Sequence, residues 1–161
     1  MNLAGILLLA TMQTYGPYDI NGWEIRGDVN NEGAYVCSVS IPYRSGIDLA
    51  FVRSSSTFRI ALQNPEWELT EGQRYSLSIR IDNRFSQDVT AHASGRQTLA
   101  IDYEWSENSQ LENALVYGNI LYVNAQQADF QFELTNSSRA LPALDTCLQF
   151  GSRNPFASGP K

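Results

Sequence analysis

The chain has 161 residues and a mass of 18.0 kDa; 43% of its residues are hydrophobic and 17% are charged. This size and composition fit one packed domain and exclude both a disordered chain and a coiled-coil rod. All but one of the eleven basic residues are arginines, and the net charge of −6 argues against non-specific binding to nucleic acid or anionic lipid. We therefore predict a single acidic domain over residues 15–151 that has no nucleic-acid partner.

The amino terminus carries the longest apolar run of the sequence, LAGILLLA at residues 3–10. This run is too short for a bilayer span, which takes about 20 residues, and it matches the hydrophobic core of a secretory signal. No Lys or Arg follows Met1, and no Ala-x-Ala site closes the run. We interpret residues 1–14 as a signal segment whose basic start would lie upstream of Met1; a buried first strand or a flexible tail is the alternative. A signal predicts a periplasmic or secreted bacterial protein without stable transmembrane insertion.

Short segments that alternate apolar and polar side chains fill most of the remaining chain, as is typical of half-buried strands. The clearest covers residues 75–82, and similar segments are residues 35–41, 47–51, 58–62, 89–93, 99–105, 120–123 and 130–134. Turn residues recur about every 8 to 12 positions. We therefore predict a mainly β fold, either an antiparallel β-sandwich or a partly closed barrel. Alternation reports one buried face and does not separate the two.

Two stretches of the chain interrupt this regular pattern. Gly27 and Asp28 follow an apolar alternation that starts at Trp23, and they predict a turn that ends this strand. Residues 111–115 are ambiguous and predict a short helical turn.

The carboxy-terminal region changes to a helical period. A leucine stripe that starts at Leu141 has the spacing of a short amphipathic helix. A helix that begins near Leu141 places Pro142 in its first turn, where proline costs no hydrogen bond. We predict that this helix ends at Gly151 and that residues 152–161 form a flexible tail.

The two cysteines, Cys37 and Cys147, are too far apart in sequence for a metal-knuckle motif. Cys37 lies on the apolar face of a predicted strand, and Cys147 lies on the apolar stripe of the predicted helix. In an exported protein we favour a disulfide between them, which would close a loop of about 110 residues and stabilise the fold by on the order of 4–5 kcal/mol. Two separate buried thiols are the alternative.

Candidate catalytic groups are few. His92 is the only histidine in the sequence, and it lies on the polar phase of its segment, which favours a solvent-facing side chain over a Ser-His-Asp or Cys-His arrangement. Two carboxylate pairs, Glu66 with Glu68 and Asp102 with Glu104, lie beside aromatic residues, as in a sugar-binding cleft. Asp102 and Glu104 alternate with apolar residues, which favours a solvated strand face. We predict no catalytic residue, no metal site and no cofactor.

Several short motifs follow the pattern of one known family. They are Trp23, Cys37, the stretch Leu62-Gln63-Asn64-Pro65-Glu66-Trp67-Glu68-Leu69, Gly72, the segments 75–82 and 130–134, and the ending Ser138-x-Ala140-Leu141-x-x-Leu144-x-x-Cys147. On these motifs the chain resembles small exported proteobacterial proteins of the invasion-associated locus B type, over most of residues 20–150. The resemblance implies a periplasmic or envelope β-domain with a carboxy-terminal helix and a link to host-cell invasion. It provides no catalytic residues.

We expect a non-enzymatic exported domain that binds a protein or an envelope component. This function predicts a surface of exposed aromatic residues, and the candidates are Tyr15, Tyr18 and Trp67. One alternative is a small cell-wall or glycan hydrolase that uses a carboxylate pair. Another is an inhibitor or immunity protein whose acidic surface binds a basic enzyme.

Overall fold

The computed structural model describes residues 14–152. The apolar run at residues 3–10 lies outside the described residues. The predicted tail also lies outside them except for its first residue, Ser152, which belongs to the last helix. In chain order the elements are β1 (Tyr15–Ile20), β2 (Trp23–Val29), β3 (Tyr35–Pro42), β4 (Asp48–Arg53), β5 (Thr57–Gln63), β6 (Arg74–Ile81), β7 (Phe85–Ala93), β8 (Thr98–Glu104), α1 (Gln110–Tyr117), β9 (Ile120–Asn124), β10 (Asp129–Glu133) and α2 (Ser137–Ser152).

The ten strands of the described chain form one antiparallel sheet in the order β1-β2-β3-β4-β5-β8-β7-β6-β9-β10. Strands β7 and β8 share only two residue pairs, His92 with Ala100 and Ala93 with Leu99, so the sheet consists of two wings. The first wing is β1, β2, β3, β4, β5 and β8, and the second wing is β7, β6, β9 and β10. The outermost strands β1 and β10 do not pair, so the sheet is not closed into a barrel. The predicted mainly antiparallel β fold with a carboxy-terminal helix is confirmed.

Alternating apolar side chains place one face of each wing in a common core. In the first wing, the central row of this core is in register across β2, β3, β4, β5 and β8, and each member is at most 2% exposed: Ile25, Val39, Phe51, Ile60 and Ile101. Complete burial of such a side chain stabilises the fold by about 1.5–3 kcal/mol. The inner faces of the strands are therefore fixed by packing, and the outer faces are free for other contacts.

Hydrogen bonds from two aromatic side chains fasten the first wing to the end of the second. The indole Nε1 of Trp23 donates to the carbonyl oxygen of Thr135 at 2.8 Å, and the Tyr43 hydroxyl donates to the carbonyl oxygen of Glu133 at 2.6 Å. The Trp23 ring is fully buried and stacks on Phe51 with 5.6 Å between the centroids. These contacts hold the two wings face to face around the core.

A tyrosine spans the separation between β7 and β8. The Tyr103 hydroxyl of β8 donates to Oε1 of Gln87 on β7 at 3.2 Å, beyond the two residue pairs that join these strands. Burial raises the pKa of Tyr103 to about 12, which extends the pH range over which its hydroxyl is protonated and can donate.

Helix α2 begins at Ser137, four residues before the predicted start at Leu141. Ser137 is buried, and its hydroxyl donates to the carbonyl oxygen of Leu115 at 2.7 Å, which ties the start of α2 to α1. Pro142 therefore lies inside the helix, where it removes a hydrogen bond to the carbonyl of Ser138. Because Ser138 and Pro142 are both exposed, water can hydrate this carbonyl. The helix therefore tolerates an internal proline, and the expectation that α2 begins next to Pro142 is wrong.

Two glycines that predict element ends lie inside elements instead. Gly27 is in the middle of β2, and Gly151 is within α2. A Cβ on Gly27 would lie 2.5 Å from Sγ of Cys147 and 2.8 Å from the hydroxyl oxygen of Tyr35, and a Cβ on Gly151 would overlap the Tyr35 ring. The predicted turn at Gly27 and Asp28 is therefore wrong. The predicted helix end at Gly151 is one residue before the last described residue of α2, and Gly151 also packs against Tyr35.

The predicted disulfide between Cys37 and Cys147 is present and joins β3 to α2. Both cysteines are fully buried, and their Cα atoms are 6.1 Å apart. A second link between the first wing and α2 is the ion pair of Arg53 on β4 with Asp145. The Arg53 guanidinium lies 3.6 Å from the centroid of the Trp105 ring, and burial lowers its pKa. The first wing and α2 are thus held together by a covalent bond and by a half-buried ion pair.

Candidate binding surface

The predicted aromatic residues divide into two places. Tyr15 and Tyr18 form an edge-to-face pair on β1 with 5.0 Å between their centroids, and Tyr15 also contacts Phe150 of α2. Trp67 is half-buried in the β5–β6 connection, where its ring contacts Phe130 of the opposite edge strand β10 at 6.2 Å. Tyr18 is 56% exposed. Tyr15 and Tyr18 thus contact each other on β1, whereas Trp67 contacts β10. A binding role for these three residues stays a prediction.

The predicted carboxylate pairs lie at the surface. Glu66 and Glu68 are exposed on either side of Trp67. Asp102 accepts two hydrogen bonds from Arg59, at 2.6 Å from Nε and 3.0 Å from Nη2. His92 Nε2 is 3.7 Å from an Asp102 oxygen, which is longer than a hydrogen bond, and its side chain is half-exposed on the outer face of the sheet. The hydrolase alternative stays a prediction.

The outer face of the first wing has a floor of small side chains. One cross-strand row on β3, β4, β5 and β8 consists of Ser40, Ala50, Ala61 and Ala100. Ala61 is 8% exposed and Ala100 is fully buried, so only Ser40, Ala50 and Ala61 of this row line the open surface. Alanine is a poor strand former, so three alanines in register are not explained by strand propensity. This row lowers the sheet surface and creates a groove.

Three depressions adjoin along this face. The central one, of about 800 Å³, is lined by Ser40, Ala50 and Ala61 of the floor, by Thr98 and Asp102 of β8, and by residues 30–32 of the β2–β3 turn. The second lies beside the β1–β2 turn and shares Ser40 with it, and the third lies between the β5–β6 and β7–β8 loops and shares Thr98 with it. Tyr18 lines the second depression and Trp67 lines the third. Tyr18 is paired with Ile25 of the core row, so its ring lies with Tyr15 on the side of β1 that carries α2, and Tyr18 only borders this surface.

Carboxylates dominate this surface, which we call the acidic band. Its seven carboxylate residues are Asp19, Glu24, Glu32, Asp48, Glu66, Glu68 and Asp102. The same three depressions include the guanidinium groups of Arg59 and Arg96, and a third, that of Arg26, is bonded to Glu24, so seven carboxylates against three guanidinium groups leave an excess of four negative charges. The whole chain has a net charge of −6. The band therefore concentrates negative charge on one face of one wing.

Two carboxylates of the band have arginine partners. Asp102 is bound by Arg59, and Glu24 accepts a hydrogen bond of 2.5 Å from Nε of Arg26. The other five carboxylates form no ion pair within residues 14–152. These five groups are available to a cationic partner.

Local hydrogen bonds fix the loops that border the band. Oδ1 of Asn30 accepts from the backbone N–H groups of Glu32 and Ala34 at 2.9 and 3.0 Å, which shapes the β2–β3 turn above the floor. At the far end, Nε2 of Gln97 donates to the carbonyl oxygen of Pro65 at 3.0 Å and joins the two loops of the third depression. The band is therefore built on strands and braced turns, which favours a preformed binding surface.

Across residues 14–152 there is no group of three or more His, Cys, Asp or Glu side chains placed to hold a metal ion. No helix in this part of the chain is long and apolar enough to span a membrane.

The sequence predicts which side chains face outward but not which strands are neighbours. Ala61 and Ala100 lie in separate segments, and they meet only because β5 pairs with β8 rather than with β6. The one sequence feature that could have indicated the groove is the repeated use of small residues at outward positions, at Ser38, Ser40 and Ala50.

Neither a family model nor a curated protein matches the chain. The fold is similar to that of a solved structure, invasion-associated protein B from Bartonella henselae, with a TM-score of 0.55 and 14% sequence identity. The alignment covers 84% of this chain and 99% of that chain. At this identity the likeness shows a shared fold, which agrees at the level of the fold with the resemblance seen in the sequence motifs.

Proposed function

We propose that the chain is an exported, non-enzymatic domain that binds another protein through the acidic band. The observation that carries this proposal is the band itself: three adjoining depressions on a rigid sheet, with five carboxylates that lack an ion pair in the described residues. Charge on a preformed surface steers the encounter with a partner of opposite charge and fixes its orientation. An anionic envelope polymer would be repelled by the same charges, so a protein is the better partner than such a polymer.

Two observations support export. A fully buried disulfide between distant parts of the chain is typical of proteins that fold in an oxidising compartment. The solved structure with a similar fold bears the name invasion-associated protein, and we extend this to a partner outside the cytoplasm, in the envelope or on a host surface.

A non-enzymatic role is supported by the state of the candidate catalytic groups. Asp102, the carboxylate that approaches His92, is engaged through both oxygens by Arg59. A carboxylate held in this way is well suited to shape a surface and poorly suited to exchange protons with a substrate.

Site-specific photo-crosslinking tests this proposal. The full chain carries p-benzoylphenylalanine at Val52, which lines the central depression, or at Ser76 on the outer face of the second wing as the matched control. Each protein is irradiated in the bacterial cells that produce it and, after purification, on isolated bacterial envelopes and on host cells. We expect one discrete protein adduct from position 52 and none from position 76. Adducts of equal yield from both positions, or none from position 52, would contradict the proposal.

A further inference from the structure

We propose that the partner presents a basic, extended polypeptide segment, which lies along the acidic band and crosses β3, β4, β5 and β8. This inference rests on the proposed function and names the chemistry of the partner at that same surface.

The dimensions of the floor fit an extended chain. Neighbouring strands are about 4.8 Å apart, so the four floor strands span about 14 Å, and an extended segment that advances about 3.3 Å per residue crosses them with four or five residues. From Asp19 on β1 to Thr98 on β8 the band covers six strands, or about 24 Å, which corresponds to about seven residues. Because Ser40, Ala50 and Ala61 have short side chains, the floor of the central depression is low enough for a backbone to lie in it.

The charges select a cationic segment. Asp19 and Asp48 line the second depression, Glu32 on the β2–β3 turn lines the central one, and Glu66 and Glu68 line the third, all without an ion pair in the described residues. A segment with Lys or Arg side chains along its length would meet a carboxylate at each depression. Arg59 does not oppose this pattern, because its charge is compensated by Asp102. Arg96 lines the third depression together with Glu66 and Glu68, which leaves one negative charge in excess there.

The same charges disfavour other occupants. A second copy of this chain would bring a net charge of −6 toward the band, and an acidic polymer would be repelled in the same way. A neutral segment would leave the five carboxylates uncompensated. The basic segment is therefore the occupant that best complements the surface.

The binding of a fluorescent decalysine peptide to the purified, oxidised full chain tests the inference. The test variant is the double substitution Asp48→Asn and Glu68→Gln, at two exposed carboxylates of the band, and the control is Asp88→Asn and Asp129→Asn, at two exposed carboxylates of the second wing. We expect about fivefold weaker binding by the test variant, since two exposed ion pairs are lost, and unchanged binding by the control. Both double variants change the net charge by the same amount.

A second variant tests the groove without removing a carboxylate. Ala50→Arg fills the floor and adds a positive charge, and we expect it to weaken decalysine binding more than tenfold, whereas Ser76→Arg on the second wing should preserve most of it. Equal losses in band and control variants would show that only net charge matters, and decaglutamate that binds as tightly as decalysine would show that charge does not select the occupant. Either result overturns the inference.

The two proposals fail in different ways. A cross-link from position 52 that persists in the presence of excess decalysine would overturn the basic-segment inference and leave the proposed function standing. The absence of any cross-link from position 52 would overturn the proposed function itself.

Discussion

At the scale of single residues, Gly27 shows how tightly the disulfide is packed. It lies in mid-strand, and a Cβ at this position would be 2.5 Å from Sγ of Cys147 and 3.1 Å from Sγ of Cys37. We expect Gly27→Ala to lower the free energy of unfolding by about 1–3 kcal/mol, because the disulfide or the strand must move to make room. Urea denaturation of the oxidised protein measures this change.

Gly95 provides the matched control for Gly27. It lies in the β7–β8 loop, and no heavy atom would come within 4 Å of a Cβ placed there. We expect Gly95→Ala to change the free energy of unfolding by less than about 0.5 kcal/mol. Equal effects of the two substitutions would contradict the packing role assigned to Gly27.

Gly27 also shows why part of the residue-level prediction failed. A Gly-Asp pair is a common turn sequence, and only local neighbours are visible in a sequence. Position 27 requires glycine because the sulfur of Cys147, which is 120 residues away in the sequence, leaves no room for a Cβ. By contrast, the cysteine pairing was predictable, because each cysteine lies on the apolar face of its own element and the two apolar faces have to meet in one core.

At the scale of elements, helix α2 is held to the first wing by three kinds of contact: the disulfide, the ion pair of Arg53 with Asp145, and a buried stripe that includes Leu144. We expect the double substitution Cys37→Ala and Cys147→Ala to lower the free energy of unfolding by about 4–5 kcal/mol, because the unfolded chain regains the freedom of a long loop. Urea denaturation at fixed temperature measures the difference. A loss below about 1 kcal/mol would contradict a major clamping role.

The strands were the most predictable elements, and their boundaries follow the alternation closely. The segment predicted at residues 75–82 corresponds to β6 (Arg74–Ile81), and the segment at 35–41 corresponds to β3 (Tyr35–Pro42). Strand β7 (Phe85–Ala93) begins four residues before its predicted start, because its first residues separate from β8 and have no regular alternation. The start of α2 was missed for a different reason, the tertiary hydrogen bond from Ser137 to Leu115.

At the scale of the whole molecule, the acidic band depends on strand order. Its floor combines β3, β4 and β5 with β8, and the chain reaches β8 only after building β6 and β7 in the other wing. Alternation predicted that Ser40, Ala50, Ala61 and Ala100 face outward, but nothing local to these segments indicates that they form one row. The net negative charge can be read from the composition. Its concentration on one face can be recognised only when the pairing and the register of the strands are known.

The joining of the two wings provides the last prediction. Trp23 and Tyr43 of the first wing both donate to the short segment 133–135 that follows β10. Burial first, and then the charge of Glu133, raise the pKa of Tyr43, so its hydroxyl remains a donor.

We expect Trp23→Phe to lower the free energy of unfolding by about 1–3 kcal/mol and Tyr43→Phe to lower it by about 1 kcal/mol. The double variant should show a coupling of at least about 0.5 kcal/mol, because loss of either hydrogen bond frees the segment that the other one holds. The control cycle combines Trp23→Phe with Tyr103→Phe, which removes a hydroxyl that is bonded to Gln87. In urea denaturation the two losses of unfolding free energy should be additive in this control. Additivity in the cycle of Trp23 with Tyr43 as well would show that the wings are held by the core alone and that the two hydrogen bonds act independently.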